Sequence, residues 1–574
     1  MDRRTFLKAA GLGSISFAYG CNQSQNKNLF SLVQAPEDMV TGQAAWYAST
    51  CTECPAGCGI LAKNREGRIV KLEGNPLHPV NRGKLCIRGQ SALQAIYDPD
   101  RLVKPKLRVN GEFREIGFDE ARKILKEKIE LARSAGRDRI RMISGMVGDP
   151  LQKLFENSLS DWNARPPVLY EPFSHDALKS AYAALFNRKQ LPSYHMEKTD
   201  MILSFGADFL ETWLSPVEYA RKFKEMHGYD HGKKGRFIHV GPYMSLTAAN
   251  ADKYLCCQPG TEVVVVMGII SELLKSGSYD DLPKPFVDQL RPLSSTYDQA
   301  KIEAEAGVAQ ADLSMLVNQL KNAKQPLVLG GVSPAETSYS LELAVAMLNL
   351  LLDSRFSLAD FENRHALEKV APVNEVIRYL EAATDTPTDL LLFYQCNPVF
   401  TLPANEKLEA LYSDSRIFKV VFSNFMDDTA ARADLVFPTK LYLETWDALE
   451  GKTGMISTLQ PAMGRLTDAP PIGDLFLSLM PTPRYADFQH FLMDTLYPSV
   501  NLDSEQPWLE MIQVGGRFEG AKESTAPDLV IASAAVGELR TALKERPTFQ
   551  TGTMTFMAVP SLRYFDGRGA NKSW

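Results

Sequence analysis

The sequence predicts a multidomain α/β protein with parallel sheets, preceded by a small β-rich unit. Three observations carry that prediction. Six short apolar strands, beginning at Arg139, Asp200, Arg236, Pro326, Asp389 and Ala433, each run into Gly or Pro. Strands of that kind, each followed by a loop and a helix, build parallel sheets with ligands at their carboxyl edges. From Asp119 to Gly136, Ala121, Ile124, Leu125, Ile129 and Leu131 recur at helical spacing and predict an amphipathic helix. Finally, 574 residues that are 45% hydrophobic exceed the needs of one small core. No fixed short repeat is evident.

Charged residues make up 23% of the chain and the net charge is -6. Neither value provides the basic surface that a nucleic acid or an anionic membrane would need, so no nucleic-acid partner is expected. Outside the N-terminus no apolar run approaches about 20 residues, and no transmembrane helix is predicted.

The chain opens with Arg3-Arg4 followed by Thr5, Phe6, Leu7 and Lys8, then a weakly apolar stretch from Ala9 to Gly20. That stretch is too short to span a bilayer and reads as a signal-peptide core. The paired arginines resemble the twin-arginine export signal, which carries folded proteins to the periplasm or the outer face of the cytoplasmic membrane. Cys21 leaves two readings open, a lipid anchor or simple cleavage. Residues 22–44 read as a tether.

Eight cysteines are too few to staple a fold of this size, so their placement matters more than their number. Cys51, Cys54 and Cys58 are spaced C-x2-C-x3-C, and Cys86 follows after 27 residues. Three close thiolates can hold three corners of a [4Fe-4S] cube from one loop, with the fourth returning from elsewhere. Pro55, Gly57 and Gly59 allow the backbone to wrap closely. Between them, Ile60, Ala62, Ile69, Val70 and Leu72 flank Glu66-Gly67 as a β-hairpin that brings Cys86 back. A four-cysteine zinc site and disulfides are the competing readings. Zinc knuckles usually come as two C-x2-C pairs, and three cysteines within eight residues pair poorly.

CTECPAGCGI from Cys51 and EGNPLHPVNRGKLCIRGQ from Glu73 resemble the cluster domain of the molybdopterin bis-guanine-dinucleotide oxidoreductases. The resemblance continues, in order, through Gly206 to Trp213, Cys256 to Glu262, Cys396-Asn397-Pro398 and Asp427 to Asp447. It implies a multidomain molybdopterin-oxidoreductase fold with an N-terminal β-rich [4Fe-4S] domain. The implied parts are residues 1–21 as signal, 22–44 as tether, 45–105 as cluster domain, and 106–172 with 370–440 as one α/β domain. Residues 173–369 form an inserted α/β domain, and 441–574 return to the cluster domain. The resemblance implies Cys51, Cys54, Cys58 and Cys86 as metal ligands and Arg88 between cluster and pterin. It further implies Gly206, Pro259, Gly260, Thr261, Asn397 and Pro398 in the loops that bind molybdopterin guanine dinucleotide with molybdenum or tungsten.

The sequence departs from the family in three places. Ser174 falls at the metal-ligand position, with His175 and Asp176 nearby as proton carriers, but it also reads as a helix N-cap. Gly241-Pro242-Tyr243 stands where the family has Asp-Pro-Arg, and Glu262 where it has Asp; both changes count against at least one dinucleotide. The C-terminal barrel-like domain is expected to be absent, through truncation or a split gene. Cys256, Cys257 and Cys396 are expected in the core, and Trp213 and Trp446 in the core or at an interface.

The segments from Tyr170 and from Gly206 most resemble the molybdopterin-like subunits of alternative complex III and periplasmic quinone reductase complexes. That resemblance implies an electron-transfer subunit of a quinone-linked oxidoreductase. Its expected partners are a ferredoxin-like iron–sulfur subunit, a membrane quinone-binding subunit and a multihaem cytochrome c. The rival expectations are a pterin enzyme reducing an oxyanion or sulfur compound, and a structural subunit without redox chemistry.

Overall fold

The structure, a computed structural model, describes residues 42–229, 234–331, 335–482, 484–500, 505–518, 527–546 and 554–572. The export signal, Cys21 and nearly all of the tether lie outside the described residues.

The first strands form an antiparallel meander of Ala45–Thr50, Gly59–Arg65 and Arg68–Gly74. Its second turn is the predicted Glu66-Gly67 pair, with φ of 51° and 79°. Two positive φ values in a two-residue loop match the right-handed twist of the strands. Ile60, Ala62, Ile69 and Leu72 are buried and Val70 faces out, as a half-buried sheet requires.

A seven-stranded sheet follows in the order 112–115, 106–109, 435–436, 418–422, 390–394, 140–144, 168–169. All its neighbours are parallel except at the 106–115 hairpin edge. Apolar side chains cover both faces in two separate clusters, which suits the continuous Val, Ile and Leu runs of its strands. The helix Phe118–Ala135 packs there through Ala121, Leu125 and Ile129. Leu131 does not join it and is 67% exposed, contrary to expectation. Two residues beyond Ile129 is a rotation of about 200° around a helix, which turns Leu131 to solvent.

Residues 201–330 supply a second, fully parallel sheet in the order 253–256, 236–241, 201–205, 326–330. Its largest covering helices are Glu262–Ser276 and Ala335–Leu352. Cys257 is buried there, but Cys256 is exposed, a correction to the expected core role. Neighbouring residues of an extended chain face opposite ways, so only one of the pair can point inward.

The parallel sheets are tied together by a five-stranded antiparallel sheet ordered 516–518, 455–459, 447–452, 359–365, 191–194. The N-terminal meander docks on it. Thr50 Oγ1 donates to Thr458 O at 2.8 Å, Gln460 Nε2 to Ala48 O at 2.7 Å and Asn64 Nδ2 to Ala462 O at 2.7 Å. The overall architecture is that of the predicted α/β fold. Among the described residues no helix is long and apolar enough to cross a membrane.

Candidate metal centre

The loop from Cys51 to Cys58 connects the first two strands of the meander. Cys51 N donates to Cys58 O at 2.8 Å and closes its base. Gly57 has φ +61° there. A Cβ on Gly57 would stand 3.4 Å from Gly451 Cα, so the loop lies close against the strand Asp447–Lys452. Cys86 returns just before the short helix Ile87–Ser91. Asn81 holds the return in place: it accepts from Gly59 N at 3.0 Å and donates to Gly59 O at 2.8 Å and Lys84 O at 2.7 Å.

The four thiols are electrostatic neighbours. Burial pushes the Cys51 and Cys58 thiols well above their ordinary value, and the other cysteines add to it. Burial likewise raises Cys54, against the opposing charge of Arg88. Thiols raised in this way call for metal to bind them as thiolates. Among the described residues, no three or more His, Cys, Asp or Glu side chains close on a single-ion point.

Two buried polar groups stand against the cysteines, with sulfur as their neighbour. The Tyr442 hydroxyl stands beside Cys51. Arg88 is 2% exposed and lies next to Cys54 and Cys86. Burial lowers the guanidinium's affinity for its proton, but the thiolate charge of Cys54 and Cys86 outweighs it, so the net shift is upward. Donors directed at the cysteine sulfurs fit a [4Fe-4S] cluster, whose sulfurs accept hydrogen bonds. Cys51, Cys54, Cys58 and Cys86 would hold it, and it would supply one-electron transfer. Replacing Tyr442 by Phe is expected to leave the iron content unchanged and move the cluster potential to more negative values. A redox titration followed by electron paramagnetic resonance reads it directly.

Beyond Arg88 lies a cleft between the cluster domain, the seven-stranded sheet and the segment 566–572. Arg88 Nη1 donates to Glu211 O at 3.4 Å, in the loop after the strand Met201–Phe205, and to Leu562 O at 3.3 Å. Its guanidinium stands 4.5 Å over the Phe565 ring, whose edge meets Phe173 at 4.9 Å. Alongside is a cavity of about 240 Å³ whose lining includes Glu53, Tyr170, Asn397, Lys440, Tyr442 and Arg568.

The positions expected in pterin-binding loops divide between two sheets. Gly206, with φ +73°, ends the strand Met201–Phe205, and Pro259, Gly260 and Thr261 precede the helix Glu262–Ser276. Asn397 and Pro398 open the helix Pro398–Thr401 on the other sheet, where Asn397 Oδ1 accepts from Thr429 Oγ1 at 2.7 Å. Cys396 Sγ sits 3.7 Å from Ile143 O at that strand end. Trp213 is buried against Tyr194, and Trp446 packs on Trp508.

Ser174 is buried but does not cap the helix Asp176–Phe186. His175 occupies that position in a left-handed conformation, and no side chain caps the helix. The N-cap reading is therefore wrong, because the chain turns one residue later than the Ser-His-Asp pattern suggests. His175 has its pKa lowered to about 4, chiefly by burial, and is neutral at pH 7. Asp176 is taken up by Val373 N at 2.8 Å and Lys179 Nζ at 3.0 Å.

Glu53, Tyr442, Glu218 and Lys572 were not singled out from the sequence. Glu53 alone carried a signal, since it stands inside the C-x2-C pair. Glu218 is buried with Lys452 Nζ at 2.8 Å and Lys222 Nζ at 2.9 Å, and its charge reaches Cys58.

A cysteine-ringed cluster seat on a meander, beside two parallel sheets with glycine and proline strand ends, defines an iron–sulfur oxidoreductase. Residues 44–98 match the Molybdopterin oxidoreductase Fe4S4 domain, and residues 101–469 match Molybdopterin oxidoreductase. The chain belongs to the molybdopterin oxidoreductase family, whose two domains carry a [4Fe-4S] cluster and molybdopterin. It is 27% identical over 458 residues to the menaquinone reductase molybdopterin-binding-like subunit of Nitratidesulfovibrio vulgaris, covering 77% of this chain and 65% of that protein. Against the nitrate reductase of Symbiobacterium thermophilum identity is 24%, again over 77% and 65%. The arsenate respiratory reductase subunit of Shewanella is 28% identical, over 50% of this chain and 34% of its own. The chain thus spans at most about two thirds of these relatives. Acetylene hydratase from Pelobacter acetylenicus shares the fold, with a TM-score of 0.63 at 12% identity over 83% of this chain and 75% of that one.

The residues present fit the cluster. Phe565 and Leu562 O occupy the outward side of Arg88. In the loop that departs from Asp-Pro-Arg, Tyr243 and Ser245 both bond Asp208. That ties the loop to the end of the strand Met201–Phe205.

Proposed function

We propose that the chain is the iron–sulfur electron-transfer subunit of a periplasm-facing, quinone-linked membrane oxidoreductase complex. The observation that carries this reading is the contrast within one site. Four cysteines with Tyr442 and Arg88 beside them form a seat for the cluster, while on the other side of that seat the chain's own Phe565 stands against Arg88. Similarity to a subunit named for menaquinone reductase supports the quinone link. The cluster relays single electrons, and quinone chemistry belongs to a membrane partner; a ferredoxin-like subunit and a multihaem cytochrome c complete the proposed assembly. Arg3-Arg4 supports export by the twin-arginine route, with Cys21 as the lipid-anchor candidate.

Metal analysis of the anaerobically purified native protein tests the reading. About four irons per chain without molybdenum or tungsten is the expected result. About one molybdenum or tungsten per chain would overturn it in favour of a pterin reductase, with Ser174 the first ligand to replace. For location, Arg3→Lys with Arg4→Lys is expected to leave the chain in the cytoplasm. Unchanged periplasmic recovery of that double variant would sink the export proposal.

A further inference from the structure

Glu53 is a buried carboxylate placed between two cluster ligands, Cys51 and Cys54, and is 9% exposed. An anion in that place, next to four thiolates, works against reduction of whatever they hold. Its counter-charge comes from the other end of the chain: Lys572, 4% exposed, forms a salt bridge with Glu53.

Lys572 is held by a folded segment. Phe565 N donates to Ser561 O at 2.8 Å, Gly567 N to Tyr564 O at 2.9 Å and Lys572 N to Gly569 O at 3.2 Å. Arg563 Nη2 donates to Lys572 O at 3.1 Å. Arg568 fixes the middle of the segment through Asp566 at 2.6 Å and the buried Glu171 at 2.5 Å. At Gly567, with φ +101°, a Cβ would meet the Phe400 ring at 2.6 Å, so the segment lies close on the wall of the cleft.

We propose that the segment Ser561 to Lys572 is a charged strap over the inner face of the cluster. In it Lys572 is a positioning residue that neutralises Glu53 and so sets the cluster's reduction potential. The inference rests on the electron-transfer reading. Removing the lysine charge leaves an uncompensated anion beside the ligands and makes the added electron less favourable. Removing the Glu53 charge does the reverse. A purely structural role would shift both in one direction or in neither.

The test is a redox titration followed by electron paramagnetic resonance on the full-length protein, with iron counted in each sample. Lys572→Met is expected to shift the potential negative, Glu53→Gln to shift it positive, and the double variant to lie near wild type. Lys572→Arg, which keeps the charge, is expected to match wild type. Shifts of the same sign, or no shift with iron retained, overturn the strap while leaving the electron-transfer reading intact. If the single variants lose iron and the double variant keeps it, charge pairing is still supported; loss in all three shows packing instead and overturns it. A wild-type protein without iron overturns both this inference and the proposed function.

Discussion

Replacing Cys54 by Ala is expected to abolish the cluster signal and electron transfer while the folded chain survives. The thiol is one of four that must bind together, and a cube deprived of one corner loses iron well below about four per chain. The structural cost is small by comparison. Cys54 is only half-buried at the edge of its cluster of apolar neighbours, and the meander strands keep their ladders without it. Iron analysis and paramagnetic resonance, set beside circular dichroism, separate the two effects. Retained iron with an unchanged spectrum would show that Cys54 is not a ligand. Retained electron flow after iron loss would support the structural-subunit reading instead.

Replacing Glu218 by Ala is expected to cost about 3–5 kcal/mol, because it strands two buried ammonium groups. Glu218 lies on the helix Pro216–His227, Lys222 one turn further on, and Lys452 on the strand Asp447–Lys452. Ser193 completes the group, donating to Glu218 at 3.1 Å and accepting from Lys452 at 2.8 Å. Burial pushes the Glu218 carboxyl up, but Lys222 and Lys452 outweigh it and hold it well below the usual carboxylate range. A depressed carboxyl contributes its stability above the unfolded value of about 4.3 and loses it as pH falls toward the folded value. Thermal unfolding should therefore show a lower midpoint for Glu218→Ala at pH 7, with the gap to wild type narrowing under acid. An equal gap at every pH would mean that packing, not charge, accounts for the loss.

What the sequence made legible follows from how local each signal is. The Glu66-Gly67 turn and the apolar strands are written in adjacent residues, and they fold as expected. The cysteine spacing points directly to its metal chemistry. Errors arose where a pattern admits two phases: Leu131 fits a helical count yet faces water, Ser174 precedes a helix without capping it, and Cys256 and Cys257 cannot share one side. The strap and the Glu218 group were invisible because their partners lie hundreds of residues apart; Lys572 and Glu53 are separated by 519. No local period records such pairs, and single charged residues usually signify a solvated face.

The seat of the cluster also has a consequence for biosynthesis. The ligands occupy the first hundred residues, yet the wall behind them is made of Tyr442, Leu449 and Gly451, and His78 bonds Ser457 at 3.0 Å. While the ribosome has delivered only the ligand loop and hairpin, Ile60, Ala62 and Leu72 have no far side to pack on, and the thiols stand in water. Iron delivered at that stage would meet an open, oxygen-accessible loop. Maturation is therefore tied to emergence of the residues beyond 440, so the metal marks chains whose distant halves have already met.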